Sequence, residues 1–309
     1  MEAIQTFCRT LAGGFRGSIK MREPMSKHTT FGIGGPADCW LEPEDMDSLQ
    51  HALAEIQNLG LRYLLIGEGS NLLVSDDGIR EVVIRLGGEF RHIECHGNMI
   101  VAGAAVTIKE LSEEALRHGL DGVASICGIP GALGGGIVMN AGAYGGTLSD
   151  TLESVETLEP GTTPKKLYKQ DITFGYRRAE ELEGKIVTSL SFRLTEGNRD
   201  TIKAEMDRVT ELRQKSQPLE YPSAGSVFKR PPGDYAGRIL EAVAAKGFSI
   251  GGAEVSTKHA NFIVNRGNAT AQDVLAVITE LKRRVHNSMG IHLELEIKKV
   301  GFGPEEEES

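Results

Sequence analysis

A serine with cationic neighbours stands in the segment LEYPSAGSVFKRPPG, residues 219–233. Ser226 lies between small residues and is followed closely by Lys229 and Arg230, and the segment contains no histidine. A serine that attacks a carbonyl group needs a base to take its proton. Because the segment supplies no such base, it leaves open what a serine beside cations does.

Two glycine-rich segments have the composition of loops that bring their backbone close to a ligand. GEGSNLL (67–73) directly follows a predicted strand, and the amides and side chains of Ser70 and Asn71 can donate to phosphate oxygens. GIPGALGGGIVMNAGAYGG (128–146) follows apolar sequence, and Asn140 can donate to a ligand. Two such loops can hold the two phosphates of a dinucleotide. An ordinary glycine turn and a glycine-packed contact explain the same compositions, and neither segment fits GxGxxG or the Walker sequence.

Charged side chains elsewhere are suited to an anionic ligand or to acid–base chemistry. Arg177, in FGYRR, carries a guanidinium fork that matches a carboxylate or an enolate, and packing on Tyr176 with a solvated head is the alternative. Glu296 lies in the alternating sequence IHLELEIKKVG, where most such glutamates face water. His28 and His259 have no partner histidine at metal spacing. The sequence therefore predicts no metal site.

Periodic patterns predict the elements that position these residues. Residues 44–59 have helical spacing, the runs RYLLIG and EVVIRL predict two strands around the loop 67–73, and TIKE at 107–110 predicts a capped helix to about His118. After residue 200, three helices are predicted in DTIKAEMDRVTELRQKSQ, YAGRILEAVAAKG and TAQDVLAVITELKRRVHNSMG. Gly247 is predicted to end the second helix; the third has a Thr270…Asp273 cap and stops at Gly290.

The chain is predicted to have three regions. They comprise residues 1–87, 88–200 and 201–290, and a last strand at 291–301 returns to the first of them. The remaining residues, 302–309, form an acidic tail.

Composition narrows the class of protein. Of 309 residues, 40% are hydrophobic and 25% charged, as in globular proteins, and the formal charge of −9 with no basic stripe argues against nucleic-acid binding. No apolar run is long enough to cross a bilayer, and the N-terminus lacks a signal-peptide pattern. Cys8, Cys39, Cys95 and Cys127 are scattered, which favours reduced thiols. We therefore expect a cytoplasmic protein with no membrane insertion.

Seven motifs resemble, in their order, those of the UDP-N-acetylenolpyruvoylglucosamine reductase (MurB) family. They span residues 25 to 301 and are FGIGGPA, GEGSNLL, IPGALGGGIVMNAGAYGG, FGYR, YPSAGSVFKRPPG, KHANFIVN and LELEIKKVG. The resemblance implies an α+β protein whose two-part FAD-binding region is similar to the vanillyl-alcohol-oxidase (PCMH-type) fold. It also implies a separate α/β substrate-binding domain, with residues 1–87 and 88–200 as the two FAD-binding parts and 201–290 as the substrate domain.

The resemblance also implies the ligands and their contacts. FAD would be bound non-covalently, NADPH would donate the hydride, and UDP-N-acetylglucosamine enolpyruvate would be reduced to UDP-N-acetylmuramate for cell-wall peptidoglycan. A monomer or weak dimer is expected. The implied FAD contacts are Gly67, Glu68, Gly69, Ser70, Asn71, Leu72, Cys127, Gly128, Pro130, Gly131, Gly134, Asn140, Ala141, Gly142 and Tyr144.

In this family the serine is a proton donor, which answers the question of its missing base. Hydride addition to the enolpyruvyl group leaves an enolate whose carbon must be protonated, and Ser226 matches the donor, with Lys229 helping to hold the alkoxide left behind. Arg177 and Glu296 match the residues that polarise the carboxylate and stabilise the enolate. An ionised Glu296 would repel that enolate, so we expect it in its acid form, its pKa raised by burial.

The sequence departs from the family pattern at two places. Ala179 replaces a serine two positions after the catalytic arginine, and Arg230 replaces an asparagine that contacts the substrate diphosphate. KRPPG resembles the branch that lacks an extra tyrosine loop in the substrate domain, so Arg230 is expected to bind the diphosphate, and Lys215 is a second candidate. Two other functions stay open: a flavin oxidase of the same broad fold, and a non-catalytic binder of a nucleotide sugar or flavin.

Overall fold

The computed structural model describes residues 2–303 of the chain. Contacts between these residues divide the protein into two compact units, and the chain passes from one unit to the other several times along its length. Unit 1 contains the residues up to Met21, 39–67 and 81–212; unit 2 contains 22–38, 68–80 and the chain from Arg213 onward. The predicted tail beyond Gly303 lies outside the described residues. The predicted three-region division stays a prediction.

Helices and short strands alternate along the described chain. The helices are α1 (Glu2–Leu11), α2 (Met46–Asn58), α3 (Ile108–His118), α4 (Leu133–Val138), α5 (Arg199–Ser216), α6 (Ala236–Ala242) and α7 (Ala271–Met289). The strands as far as residue 147 are β1 (Gly17–Pro24), β2 (Pro36–Pro43), β3 (Tyr63–Ile66), β4 (Leu72–Val74), β5 (Ile79–Arg85), β6 (Ile93–His96), β7 (Met99–Gly103), β8 (Leu120–Asp121), β9 (Gly142–Ala143) and β10 (Gly146–Thr147). The later strands are β11 (Leu152–Leu158), β12 (Lys165–Tyr168), β13 (Phe174–Gly175), β14 (Arg178–Ala179), β15 (Ile186–Arg193), β16 (Thr195–Glu196), β17 (Ser249–Ile250), β18 (Ala253–Val255), β19 (Ile263–Asn265) and β20 (Lys298–Val300).

Unit 1 is organised by a five-stranded antiparallel sheet and by most of a four-stranded sheet. The strand orders are β12-β11-β15-β7-β6 and β1-β2-β5-β3. The two strands predicted around loop 67–73 are confirmed as β3 and β5, which pair in parallel. The helix predicted at 44–59 is confirmed as α2, whose buried residues Leu49, Leu53 and Ile56 recur at helical spacing. The sheet and helix faces share one apolar core, so the glycine loops of this unit start from rigid elements.

The capping box predicted at residues 107–110 is confirmed. The Thr107 hydroxyl accepts from the Glu110 N–H at 3.1 Å, while the Glu110 carboxylate accepts from the Thr107 N–H at 2.7 Å. The helix ends at His118, as predicted, and Gly119 follows with a φ of 69°. A left-handed residue at this position ends a helix, and glycine adopts it without strain.

Unit 2 packs α6 and α7 with the three-stranded sheet β17-β18-β19. The prediction that Gly247 ends the second helix of this region is wrong. α6 ends at Ala242, and Ala244 takes a φ of 52°, which interrupts the helical path before the glycine is reached. Gly247 lies in a later turn, with a φ of 77°.

The strand predicted over 291–301 is formed only in part. Lys298–Val300 pairs in parallel with Leu72–Val74, both in unit 2. Before this strand the chain runs irregularly past residues 227–229, with a single bridge between Phe228 and Leu295. The alternation of apolar and charged residues still predicts which side chains are buried: Leu293 and Ile297 are buried, and Glu294 is exposed. Glu296, however, is half-buried.

Helix α7 has a fully partnered first turn. The Asp76 carboxylate accepts from the N–H groups of Ala271 and Gln272 at 2.9 and 3.2 Å, and the Thr270 hydroxyl accepts from the Asp273 N–H at 3.0 Å. The first N–H groups of a helix have no partner within the helix, so these acceptors stabilise it. The cap predicted from Thr270 and Asp273 is therefore confirmed, as is the stop at Gly290.

We expect Thr270→Ala to lower the free energy of unfolding by about 1 kcal/mol, because the hydroxyl that caps α7 is lost. Urea unfolding followed by circular dichroism measures the change. Thr279→Ala, an exposed position within the same helix, is the matched control. Alanine has the higher helix propensity, so the control should be neutral or slightly stabilising. Equal losses in both variants would contradict a capping role.

None of the helices in residues 2–303 combines the length and apolar character needed to cross a membrane.

Candidate active site

The loop after β3 meets the second glycine segment inside unit 1. A Cβ added to Gly67 would lie 3.2 Å from the Cβ of Ala132, the residue that precedes α4. Contact at that distance is tighter than ordinary van der Waals packing, so glycine permits this approach. The structure thus brings the start of one predicted ligand loop beside the other.

The three glycines at 134–136 have different surroundings. A Cβ on Gly134 would lie 3.0 Å from the Ala104 Cβ, and one on Gly136 would lie 2.7 Å from Leu148 Cδ1. Close packing therefore explains these two glycines. Gly135 is exposed, and a Cβ added there would meet no atom within 4 Å. Its backbone is open to a ligand.

The rest of the first loop belongs to unit 2 and is fixed by its backbone. Gly69 has a φ of 61°, and a Cβ at this position would collide with the carbonyl oxygen of His28. The side-chain amide of Asn71 donates to the carbonyl oxygen of Glu296 at 3.0 Å, and the Lys298 N–H donates to the Asn71 carbonyl at 2.9 Å. A predicted cofactor residue and a predicted catalytic residue are thus directly connected.

Arg177 lies in the tight turn of a small hairpin. β13 and β14 pair antiparallel on either side of Tyr176 and Arg177, and Arg177 has a φ of 57°. Its guanidinium carbon lies 5.3 Å from the centre of the Tyr176 ring, and the side chain is half-buried. A cation over a tyrosine face is attracted to it, so the ring helps to orient the fork.

Asn140 supports this hairpin. Its side-chain amide donates to the carbonyl oxygen of Gly175 at 3.3 Å, and its side-chain oxygen accepts from the Ser149 N–H at 3.4 Å. We expected this side chain to donate to a ligand. The structure shows the side chain bonded to the backbone two residues before Arg177, and its contact with a ligand stays a prediction.

Ser226 and Glu296 lie on neighbouring backbone segments of unit 2. The Glu296 N–H donates to the carbonyl oxygen of Val227 at 2.8 Å, and Ser226 forms a bridge with Phe262 on its other side. Both Ser226 and Glu296 are half-buried. A hydroxyl and a carboxyl group therefore stand on adjoining, hydrogen-bonded chains.

Asn261, in KHANFIVN, has a structural role that the sequence analysis did not predict. Its side-chain oxygen accepts from the Phe228 N–H at 3.0 Å, and its side-chain amide donates to the Phe228 carbonyl at 2.9 Å. Its own carbonyl accepts from the Val227 N–H at 2.9 Å. The signal was a polar residue inside an apolar run, because such residues are usually buried and hydrogen-bonded.

The predicted substrate cations lie near the surface of unit 2. The Lys229 ammonium forms an ion pair with Glu294 Oε2 at 3.2 Å, and the Arg230 guanidinium lies 4.4 Å from the centre of the Tyr235 ring. Lys215 is exposed in the last turn of α5. Glu294 thus offsets part of the charge of Lys229.

The other predicted cofactor residues lie in the two glycine segments. Cys127 is buried, with its thiol 3.8 Å from the carbonyl oxygen of Met206, and Ala141 is buried beside β9. The remaining positions are Glu68 and Ser70 in the first loop, Leu72 in β4, Gly128, Pro130 and Gly131 before α4, Gly142 in β9, and Tyr144 in the exposed turn after it. Unit 1 contains the second segment and Arg177; unit 2 contains residues 68–72, Ser226 and Glu296.

Backbone strain coincides with predicted site residues. Positive φ angles of non-glycine residues in the described chain include 39° at Asn140, 50° at Tyr144 and 57° at Arg177. Residues with side chains adopt this region at a cost that the surrounding structure must offset, and such residues cluster at active sites. The observation favours a functional role for the turns that carry these three residues.

His259 is half-buried and bonded to Asn261. Its Nδ1 accepts from the Asn261 N–H at 3.2 Å, and its ring packs edge-on against Phe262 at 4.9 Å. Burial lowers the pKa of His259; the charge of Glu241 acts in the opposite direction, and that of Lys246 in the same one. No group of three or more His, Cys, Asp and Glu side chains in residues 2–303 is placed to hold a metal ion.

We expect His259 to reduce stability in acid. The unfolded chain takes up a proton at the ordinary histidine pKa of about 6.5, whereas the folded state resists it, so the free energy of unfolding falls as the pH drops below that value. Above a pH of about 6.5, the stabilising contribution of the neutral His259 side chain is fully present. His259→Asn, which keeps an acceptor for the Asn261 N–H, should flatten the decline in unfolding experiments between pH 7.5 and pH 5, values chosen to bracket about 6.5.

His92→Asn, a change at an exposed position, is the control for that measurement. If His259→Asn and the wild type lose stability equally between these two pH values, the acid sensitivity arises elsewhere.

The residues of the two glycine segments fit a bound dinucleotide. In unit 1, Gly67 approaches the start of α4, the space beside Gly135 is open, and Asn140 is held by defined hydrogen bonds. In unit 2, Asn71 is held in the same way. Loops of this kind let phosphate oxygens reach backbone N–H groups.

Comparison with known families agrees with this fit. The family described as "FAD binding domain" matches residues 37–167. The family described as "UDP-N-acetylenolpyruvoylglucosamine reductase, C-terminal domain" matches residues 217–300. The predicted α+β class and the predicted FAD cofactor are thereby confirmed.

Individual proteins show the same relation over nearly the whole chain. The UDP-N-acetylenolpyruvoylglucosamine reductases of Heliobacterium modesticaldum and Caldanaerobacter subterraneus subsp. tengcongensis are 43% and 44% identical, with coverage of 93% and 92% of this chain and 92% and 94% of theirs. The crystal structure of UDP-N-acetylenolpyruvylglucosamine reductase (MurB) from Thermus caldophilus is 37% identical and aligns with a TM-score of 0.80 over 93% of this chain and 99% of that one. The chain therefore belongs to the UDP-N-acetylenolpyruvoylglucosamine reductase family, which makes it an FAD-dependent oxidoreductase.

Proposed function

We propose that this chain reduces UDP-N-acetylglucosamine enolpyruvate to UDP-N-acetylmuramate with NADPH, in the cytoplasmic synthesis of peptidoglycan precursors. One observation carries the proposal: in unit 2, the Asn71 side chain is hydrogen-bonded to the Glu296 backbone, and the Glu296 backbone is hydrogen-bonded to Val227. These bonds support a site in which the cofactor loop, the residue that carries the carboxyl group and the neighbour of Ser226 act together.

The two glycine segments would hold FAD, through the backbone around Gly67, Gly135 and residues 68–72. When bound, FAD supplies the chemistry of taking a hydride from NADPH and passing it to C3 of the enolpyruvyl ether. The protein's contribution is to bind the dinucleotide, to orient the substrate and to manage the proton and the negative charge.

Ser226 would deliver the proton to C2 of the substrate. A hydroxyl group is a weak acid, so it gives up its proton only to a strong base such as the enolate carbon. The surroundings must also stabilise the alkoxide that remains. The segment that carries Ser226 is fixed on both sides, by Phe262 and by the Val227–Glu296 hydrogen bond. Such fixation keeps the hydroxyl in one place at the moment of transfer.

Arg177 and Glu296 would stabilise the enolate. The guanidinium fork of Arg177 pairs with the substrate carboxylate, and negative charge that grows on that group strengthens the pairing. Glu296, which is half-buried, would donate a hydrogen bond from its acid form to the same group. Both residues then bind the transition state more strongly than the ground state.

The diphosphate of the substrate would meet Arg230 and Lys215, with Lys229 nearby. Arg230 is exposed, and its guanidinium carbon lies 4.4 Å from the centre of the Tyr235 ring. Arginine binds phosphate oxygens in a bidentate manner. Lys229 would have to exchange its pairing with Glu294 for one with the ligand.

A single assay tests the proposal against its alternatives. The purified protein should carry a yellow chromophore, and NADPH absorbance at the wavelength of the reduced nicotinamide should fall only when enolpyruvyl-UDP-N-acetylglucosamine is added. Rapid NADPH oxidation with oxygen alone would identify a flavin oxidase instead. A colourless protein without turnover would identify a binding module.

A further inference from the structure

Two cysteines of unit 1 lie within reach of each other. Cys8, in α1, and Cys39, in β2, have sulfur atoms 3.5 Å apart, although 31 positions separate them in sequence. The Cys8 thiol also lies 3.4 Å from the Met21 sulfur. The scattered cysteines of the sequence gave no indication of this pair.

The two thiols differ in exposure and reactivity. Cys8 is half-buried, whereas Cys39 is completely buried. The hydrogen bond between the two thiols lowers the pKa of Cys8, while burial acts in the opposite direction. The thiolate is the reactive form of cysteine, so an oxidant from solvent meets Cys8 first.

We propose that Cys8 and Cys39 form a peroxide-sensitive two-thiol modification site. The Cys8 thiolate attacks a peroxide oxygen, the O–O bond breaks, and Cys8 becomes a sulfenic acid as hydroxide leaves. The Cys39 thiolate then attacks the Cys8 sulfur, an S–S bond forms, and the oxygen leaves as water after protonation. Two thiols and one hydrogen peroxide thus give one disulfide and two waters. The product links α1 to β2.

The other two cysteines act as internal controls. The Cys95 thiol donates to the Gly97 carbonyl at 3.5 Å, and burial raises the pKa of Cys95, which disfavours its thiolate. Cys127 is buried, with its thiol toward the Met206 carbonyl.

The test treats the full-length flavoprotein with hydrogen peroxide and follows it by mass spectrometry and thiol counting. We expect the loss of two hydrogens, a fall from four free thiols to two, and a linked peptide that contains Cys8 and Cys39. Reduction should restore all four. Cys95→Ser and Cys127→Ser should form the same link, whereas Cys8→Ser should not.

Three results would overturn the site: four free thiols after treatment, a disulfide that contains Cys95 or Cys127, or a sulfinic acid at Cys8 with Cys39 unlinked. The wild-type protein alone decides among these, so a poorly folded variant does not obscure the answer.

A separate observation concerns Asn261, whose side chain pairs with both backbone groups of Phe228. The residue is 6% exposed, and its backbone carbonyl accepts from the Val227 N–H as well. Three hydrogen bonds therefore hold the two residues that follow Ser226. An asparagine side chain here supplies the partners that another strand would supply.

We infer that Asn261 is a positioning residue for Ser226, an inference that rests on the proposed function. Loss of the side chain frees the Phe228 backbone and lets the serine hydroxyl leave its place, and small displacements of a catalytic group cost large factors in rate. The step that needs Ser226 should slow, whereas NADPH should reduce the flavin at the wild-type rate.

The experiment separates the two half-reactions by stopped-flow absorbance of the flavin. In Asn261→Ala and the milder Asn261→Ser, reoxidation by the enol ether should slow by at least about tenfold, with reduction by NADPH unchanged. Asn198→Ala, which removes an asparagine that caps α5, is the matched control and should change neither step.

Hydrogen exchange gives a readout that does not depend on turnover. Both the Val227 and Phe228 amides should be protected in the wild type, and the Phe228 amide should lose protection in Asn261→Ala, because its acceptor is the Asn261 side chain. Fast exchange of these amides in the wild type, or unchanged reoxidation in a folded variant, would overturn the inference. If Ser226→Ala also leaves reoxidation unchanged, the proposed function itself fails, so the two failures are distinguishable.

Discussion

Ser226→Ala should lower turnover of the enol ether by about 10²- to 10⁴-fold, the usual contribution of a positioned acid or base. The variant should still bind FAD and accept hydride from NADPH, because the glycine segments and the Asn71–Glu296 hydrogen bond do not involve the hydroxyl. Rapid mixing of NADPH with the oxidised protein, followed by addition of the enol ether, measures the two steps separately.

Ser223→Ala is the matched control for this change. Ser223 lies in the same segment, and its hydrogen bonds with Thr30 use the backbone groups of Ser223, so removal of its hydroxyl leaves them intact. The control should react at the wild-type rate. Undiminished turnover in Ser226→Ala would remove the serine from its proposed role, and a parallel loss of flavin reduction would indicate a damaged fold.

The sequence predicted the regular elements with local signals well. The boxes at Thr107 and Thr270 and the glycine stop at Gly290 depend on residues within a few positions of each other, and all three are confirmed. The end of α6 could not be predicted in this way, because Ala244 adopts a positive φ that its side chain disfavours. Helix propensity, which is highest for alanine, does not predict a boundary at this place.

The last strand shows a second limit. Its alternation predicted which residues are buried, yet a regular ladder forms only at Lys298–Val300 beside Leu72–Val74. The preceding residues bond to the chain around Val227, some 70 positions earlier. Alternation reports the burial of faces, and it does not identify the partner of a strand.

Sequence analysis can propose site residues whose side chains are themselves reactive, and those roles stay predictions; it does not find residues that act through supporting contacts. Arg177, Ser226 and Glu296 carry groups whose chemistry is visible in the sequence. Asn140 and Asn261 act through bonds to Gly175 and Phe228, and those bonds exist only once the chain has folded. The glycines at 134 and 136 likewise serve protein packing that no single sequence reveals.

Arg177→Ala should lower kcat/KM by about 10²- to 10³-fold, the range for loss of one preorganised charge-stabilising donor. The guanidinium is the group proposed to meet the growing charge of the enolate. Since arginine and alanine both carry a Cβ, the strain at a φ of 57° is the same in the two proteins. The change therefore removes the fork without altering the backbone preference of the turn.

Three further variants test whether the Arg177 guanidinium group itself is responsible for the loss. Arg178→Ala removes the neighbouring arginine, which pairs with Glu180 at 2.6 Å at the surface, and should leave turnover nearly unchanged. Arg177→Gly relieves the turn and should be as inactive as Arg177→Ala, whereas Arg177→Lys should recover part of the rate, because a lysine keeps the charge but not the bidentate geometry. If Arg177→Gly is active, or if Arg178→Ala is the inactive protein, the charge that stabilises the enolate comes from another residue.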